Sequence, residues 1–362
     1  MLHVNRIGCW MAWLVAGCLL LAGDAMAQRM EGDRAGAQGL YEAEVRVHSQ
    51  RENERRGALG RALAQVLGKL SGDRTVVERP GVSAELRRAE GYVEHFDYRQ
   101  DEGTSASGAP TFHTTLVVRF DEEAVDGMAA ALGLPVWPAP RPRPVLWLAI
   151  DDGRGPRLVT LNQNNAVRPV LDRARERGYG LGLPRGSAAE QAATGAIWRG
   201  DHAAVARLSA RYAPPMQLLG KLYRHEGGPK ADWTFVDNGR VLSQWSSQDA
   251  RPQATMAGGA DGAADALVKR YARAPETGPA GSYRMTFTGI DSSDDFIRLA
   301  GYLQGMSVVQ RITPVRATVE GLEVELELLT GLPGFRSLAD EQVLAEVDML
   351  LDTGTPIYRL VR

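Results

Sequence analysis

The chain has 362 residues, more than one ordinary domain requires and enough for two or three. Its composition, with 44% hydrophobic and 24% charged residues, excludes disorder over the whole length. The 42 basic and 44 acidic residues give a net charge of −2, which argues against a nucleic-acid partner and gives no electrostatic support for membrane attachment.

The first 27 residues have the parts of a secretory signal peptide. An apolar run over 7–22 follows a short, weakly basic start, and Ala25 and Ala27 supply small residues just before Gln28. The run is shorter than the roughly 20 residues that cross a bilayer. We therefore expect cleavage after Ala27, a periplasmic or otherwise exported protein, and no transmembrane span in the mature chain.

The alternative localisation is attachment to a membrane by a lipid anchor. Residues 15–18 resemble a lipobox, which would make Cys18 the acylated residue, although the apolar run continues past it. Cys9 and Cys18 both precede Gln28. A chain cleaved after Ala27 would therefore have no disulfide, no thiol nucleophile and no cysteine-bound metal.

The first predicted module spans 41–134. Its elements follow the order β-α-β-β-α, with strands over 44–48, 92–99 and 113–120 and helices over 59–70 and 121–132. A polar loop is expected over 101–110. Residues 134–144 contain five prolines, which favour a stiff, extended segment and mark the first boundary.

The second module, 145–273, is predicted to be an α/β sandwich. The apolar run 145–150 indicates a central strand covered on both faces. Asn238-Gly239 favours a tight turn in a hairpin. Three helices are expected, over 167–177, 201–212 and 261–273.

The third module, 282–362, has the pattern β-α-β-β-α-β, which is typical of a ferredoxin-like sandwich. Two apparent capping boxes predict its helices, one from Ser292 and one over 337–347. The expected fold class is therefore α+β, made of three small α/β sandwich modules.

Several motifs resemble a known bacterial family. They are YEAEV at 41–45, SGD at 71–73, LPVW at 134–137 and VLWLAIDDG at 145–153. Taken in this order, they are similar to the family called "domain of unknown function 2066" over about residues 41–273. The resemblance implies a proteobacterial envelope protein without an established activity, and it carries over no catalytic residue.

Candidate chemistry is sparse. Asp151 and Asp152 follow the apolar strand, where ligands often bind, and could act as acid/base or metal ligands; Asp-Asp-Gly is equally ordinary turn chemistry. Trp198, Trp233 and Trp245 are candidate binding residues, and the last two could instead be a cross-strand pair in the core. No metal-ligand cluster and no cofactor motif is present in the sequence.

The leading interpretation is a non-catalytic envelope protein that binds another envelope protein or the cell wall. The alternative is an uncharacterised envelope enzyme that uses Asp151 and Asp152. A strand-end pocket with several convergent polar groups would favour the enzyme, and a large exposed apolar patch would favour the binding protein.

Overall fold

The computed structural model describes residues 39–104, 109–212, 216–275, 277–318, 321–347 and 355–361. The expected signal peptide, its cleavage site and Cys18 lie outside these residues. Within them, helices pack on three sheets, which confirms an α+β fold built from small modules. No helix in the described ranges is long and apolar enough to cross a membrane.

The first module is a three-stranded antiparallel sheet with helices on it. Its elements are β1 (Glu42–Val47), α1 (Glu52–Ser71), α2 (Val82–Arg87), β2 (Val93–Thr104), β3 (Pro110–Phe120) and α3 (Glu122–Ala131), with strand order β1-β3-β2. Within the predicted polar loop at 101–110, residues 101–104 and Pro110 are strand residues, since the pairing of β2 with β3 runs on to Thr104 and Pro110. Residues 105–108 of that prediction lie outside the described residues. Hydrogen bonds across this polar stretch, such as Thr115 Oγ1 to Asp101 Oδ2 at 2.6 Å, support the longer hairpin.

The second module is a five-stranded sheet between two layers of helices. Its elements are β4 (Val145–Asp151), β5 (Arg157–Leu158), α4 (Arg168–Glu176), α5 (Ala188–Ala192), α6 (Thr194–Arg199), α7 (His202–Ser209), β6 (Met216–His225), β7 (Gly228–Asp237), β8 (Arg240–Gln248) and α8 (Pro252–Tyr271). The strand order is β5-β4-β6-β7-β8, and β4 and β6 are parallel. Both Asn238 and Gly239 have positive φ, as the predicted tight turn requires.

Helix α8 lies unusually close to this sheet because glycines face it. A Cβ on Gly259 would lie 2.5 Å from Cζ2 of Trp233, and one on Gly262 would lie 2.2 Å from Cε2 of Trp245. Since real Cβ atoms do not approach so closely, only glycine fits at these two positions. The two indoles fill the space that the missing side chains leave.

The third module is a five-stranded sheet with two helices. Its elements are β9 (Gly281–Thr288), α9 (Ser293–Gly305), β10 (Val309–Ala317), β11 (Leu322–Leu328), α10 (Gly331–Leu338), β12 (Leu344–Glu346) and β13 (Ile357–Leu360). The strand order is β10-β11-β9-β13-β12. The order β10-β11-β9-β13 is that of a ferredoxin-like sheet. It departs from that fold because β12 is an additional strand and β13 pairs parallel to β9.

The helix predicted over 337–347 is wrong. Helix α10 ends at Leu338, and Asp340 then shapes a turn by accepting the amide of Gln342 on Oδ1 at 2.8 Å. Leu344, only 1% exposed, pairs with Leu360 at the end of the sheet. Burial of this leucine in the sheet prevails over the local helix signal.

The proline-rich segment packs tightly between the first and second modules. Trp137 is 1% exposed, and its amide donates to the Leu70 carbonyl at 2.8 Å. The Arg141 guanidinium donates to the carbonyl oxygens of Lys69, Leu70, Gly178 and Trp137 at 2.6–3.3 Å. We call Trp137 and Arg141 the junction pair. They close the carbonyl end of α1, and desolvation lowers the Arg141 pKa to about 10.

The first and third modules also touch. The Thr330 hydroxyl, just before α10, donates to the Ala131 carbonyl at the end of α3 at 2.6 Å in a buried position. The Arg177 guanidinium of the second module donates to the Gly72 carbonyl of the first at 3.0 Å. Residues Tyr41–Arg362 accordingly form one compact unit, with the first module in contact with both others.

Candidate functional site

One face of the second sheet is only partly covered. Trp233 and Phe235 point to α8 and are buried, so alternate residues such as Thr234 point to the opposite face. Helix α6 packs on β4 and β6 of that opposite face. The polar side chains of Gln244 and Ser246 on β8 are exposed there. The uncovered part of the face is therefore polar.

Two cavities adjoin on this face. The first, about 560 Å³, lies between the α6–α7 connection and strands β6 to β8. The second, about 490 Å³, lies at the carboxyl ends of β4 and β6 and is lined by Asp151 and Trp198. Both cavities are lined by Lys221 and Asp232. We call the two cavities together the sheet groove.

Asp232 accepts hydrogen bonds from two other side chains of the sheet face. Its Oδ2 accepts from the Tyr223 hydroxyl at 3.0 Å, and its Oδ1 accepts from Ser246 Oγ at 2.7 Å. Desolvation, followed by the hydrogen bond to Asp232, raises the Tyr223 pKa above its ordinary value. Tyr223 is thus a protonated donor at neutral pH, and the network holds the three side chains in fixed positions.

Aromatic and cationic side chains complete the wall. The Trp198 ring meets Tyr223 edge-on, with centroids 6.3 Å apart and planes at 70°. Trp198 is half-buried, and Arg199 beside it is exposed. His202 lines the first cavity, and its Nδ1 has no hydrogen-bond partner within the described part of the chain. The groove can therefore offer a ring edge, cations and polar donors to one ligand.

Asp151 and Asp152 accept hydrogen bonds from different partners in the turn after β4. Asp151 Oδ1 accepts the amides of Gly153 and Gly155 at 2.8 and 3.1 Å. Asp152 binds the Arg154 amide at 3.2 Å through Oδ1 and the Arg157 guanidinium at 2.6 Å through Oδ2.

For Asp152, desolvation raises the pKa, but the Arg154 amide and the Arg157 charge outweigh it, so the pKa lies below its usual range. Of the two carboxylates, Asp151 lines the groove. Among the described residues, no group of three His, Cys, Asp or Glu side chains is placed to hold a metal ion.

The three candidate tryptophans separate into two environments. Trp198 lines the second cavity. Trp233 and Trp245 are paired across β7 and β8, and both are among the residues around the first cavity. Their indole N–H groups, however, donate to Ser247 Oγ at 2.8 Å and to the Gly258 carbonyl at 2.9 Å. Both rings pack against α8, so Trp198 is the one whose position suits ligand contact.

Lys221, Tyr223 and Asp232 are groove residues that sequence reasoning missed. A signal was available, because Lys221 and Tyr223 alternate with Gly220 and Leu222 in the middle of a strand that begins with a largely apolar run. The strand β6 is central in the sheet, and a central strand seldom carries a lysine without a reason. The pairing of Lys221 with Asp232 across β6 and β7 follows only from the register.

Comparison with known proteins identifies a domain over part of the chain. Residues 35–138 match the model of a family described as Domain of unknown function (DUF8605). A domain of unknown function is therefore present, but it is not the family 2066 that the motifs resemble. No curated protein and no solved structure gives a significant match. The matched segment ends before β4, so it includes the first module and none of the groove residues.

Proposed function

We propose that this is an exported protein of the cell envelope that binds a polar polymer of the cell wall, without catalysis, in the sheet groove. The observation that carries the proposal is the groove itself: Trp198 and Tyr223 stand beside Lys221 and Asp232 on an open, polar sheet face. Amphipathic rings next to hydrogen-bonding side chains suit sugar units, which have apolar faces and polar rims.

A protein partner fits the groove less well. The centre of a protein–protein interface is usually depleted in charged residues, whereas Lys221 and Asp232 lie in the middle of this groove. The proposal therefore takes the cell wall rather than another envelope protein as the partner.

Binding to purified, insoluble peptidoglycan tests the assignment. The protein should sediment with the peptidoglycan, and Trp198→Ala should weaken binding about tenfold, which corresponds to about 1.4 kcal/mol. Phe112→Ala is the matched control, since this exposed aromatic lies in the first module. Absence of sedimentation, together with a protein adduct from a photo-crosslinker at Gln244, would assign the groove to a protein partner instead.

Export rests on the sequence of the first 27 residues. Intact mass and N-terminal sequencing of the envelope fraction should give a chain that begins at Gln28. A chain that begins at an acylated Cys18 would establish a lipid anchor and would leave the groove assignment unaffected.

An envelope enzyme is the second candidate, favoured by the position of one cavity. Asp151, Lys221 and Asp232 line the cavity at the carboxyl ends of the parallel strands β4 and β6, and active sites are common at such strand ends. Against it, Asp151 Oδ1 and both Asp232 oxygens are occupied by bonds within the protein. An enzyme would release soluble fragments from peptidoglycan, and Asp151→Asn would abolish the release; we expect no release.

A further inference from the structure

The outer edge of β8 is an unprotected strand. This strand ends the second sheet, and no described strand pairs with its outer side. After Arg240 it reads VLSQWSSQ over 241–248, without a charged residue or a proline. A bulge at Leu242 disturbs only the hairpin end, so 243–248 runs regularly along β7. Among the described residues, no backbone hydrogen bond is made on the outer side of 243–248, so these groups can pair with another strand.

The other sheet edges in the described part of the chain are guarded. Strand β10 carries Arg311, Pro314 and Arg316, with two irregularities in its pairing. Strands β1 and β2 carry several acidic and basic residues. Strands β5 and β12 have two and three residues. Charges, prolines and short length are the ordinary protections of sheet edges, and β8 has none of them over 243–248.

We propose that β8 pairs antiparallel with β8 of a second copy of this chain, which makes a two-fold dimer with one continuous ten-stranded sheet. A neutral strand can pair with itself in any register without placing like charges opposite each other. No other described edge of a second copy is both long and neutral. This pairing occupies the free edge of β8 in both copies, so no third copy can add to it and the assembly stops at two chains.

The dimer would also change the groove. Gln244 and Ser246 of β8 line the first cavity, so the strand of the second copy would continue its floor. The two grooves would then lie on one sheet face on either side of the two-fold axis. Such an arrangement suits a repetitive polymer, because one ligand can contact both grooves. The dimer itself does not depend on that ligand.

Sedimentation equilibrium of the chain that begins at Gln28 tests the dimer. A single strand pair is a small interface, so concentrations from about 1 µM to 1 mM are needed. The mass should rise to twice that of one chain. Gln244→Lys combined with Gln248→Lys should abolish the rise, since both side chains are exposed on β8. Gln310→Lys with Thr313→Lys, on the guarded edge β10, is the matched control and should dimerise normally.

Hydrogen exchange supplies an independent readout. Amides within 243–248 should exchange more slowly at the concentrations that give the dimer, and those of β10 should not change. A mass of one chain throughout would overturn the proposal, as would a dimer that survives the β8 lysines. Dimerisation only of a chain that begins at Gly39 would also overturn it, and would assign the β8 edge to the protein's own preceding segment.

Discussion

Replacing Arg141 with methionine should destabilise the protein by about 3 kcal/mol. The guanidinium donates to four carbonyl groups, two of them at the end of α1. At about 1.5 kcal/mol for each acceptor that a charged donor satisfies, these bonds contribute about 6 kcal/mol. The lowered pKa of about 10 reflects the penalty for burying the charge, which offsets about 3 kcal/mol. Methionine preserves the length of the stem but leaves the carbonyls unpaired.

Urea unfolding followed by tryptophan fluorescence and circular dichroism measures the change. Arg143→Met is the control, because Arg143 lies two residues away among the same prolines and is exposed. It should change the free energy of unfolding by less than about 0.5 kcal/mol. If the two variants lose similar amounts, or Arg141→Met loses less than about 1 kcal/mol, the carbonyls of α1 do not depend on the junction pair.

Three other variants test separate features. Gly259→Ala should lower the free energy of unfolding by about 1–3 kcal/mol through its clash with Trp233, whereas Gly301→Ala, in open space on α9, should raise it by about 0.5–1 kcal/mol; equal effects would contradict the close approach of α8. Asp151→Asn should change the free energy of unfolding by about 1 kcal/mol or less. Ca²⁺, Mg²⁺ or Mn²⁺ should not raise the melting temperature of the protein or of this variant; a rise in the protein that the variant loses would support the envelope enzyme as the function. Desolvation raises the Glu190 pKa, but hydrogen bonds from a tyrosine and two backbone amides outweigh it, so the pKa is lowered. The contribution of the ionised Glu190 carboxylate to the free energy of unfolding is complete above the unfolded pKa of about 4.3, and it is lost as the pH falls through the folded pKa. The difference in stability between the protein and its Glu190→Gln variant should therefore shrink on acidification. A difference that stays constant with pH would contradict this.

The strongest local signals predicted the fold well. The apolar run 145–150 is a strand covered on both faces, because only burial on both sides accommodates six consecutive apolar residues. Asp121 caps α3 by accepting the Ala124 amide at 2.8 Å, and Asn238-Gly239 makes the hairpin turn. In each case a few neighbouring residues determine the outcome, so the sequence contains the whole cause.

The failures have a different physical origin. Leu344 is a strand residue because of its partner Leu360, and nothing in the adjacent sequence reports that pairing. The groove depends on how much of the sheet face α5 to α7 cover, which is a property of packing rather than of a motif. Arg141 reaches carbonyls more than seventy residues back along the chain. Features of this kind can be predicted only when the strand register and the contacts between modules are known.

The junction pair bears on where the boundary of the first domain lies. The matched domain ends at residue 138, between Trp137 and Arg141. A segment cut at that point would keep the indole but lose the guanidinium that closes α1. In a protein that joins this domain to a different neighbour, water or another donor must therefore satisfy the same carbonyls. The segment that the family model matches is thus a few residues shorter than the segment whose own side chains close the end of α1.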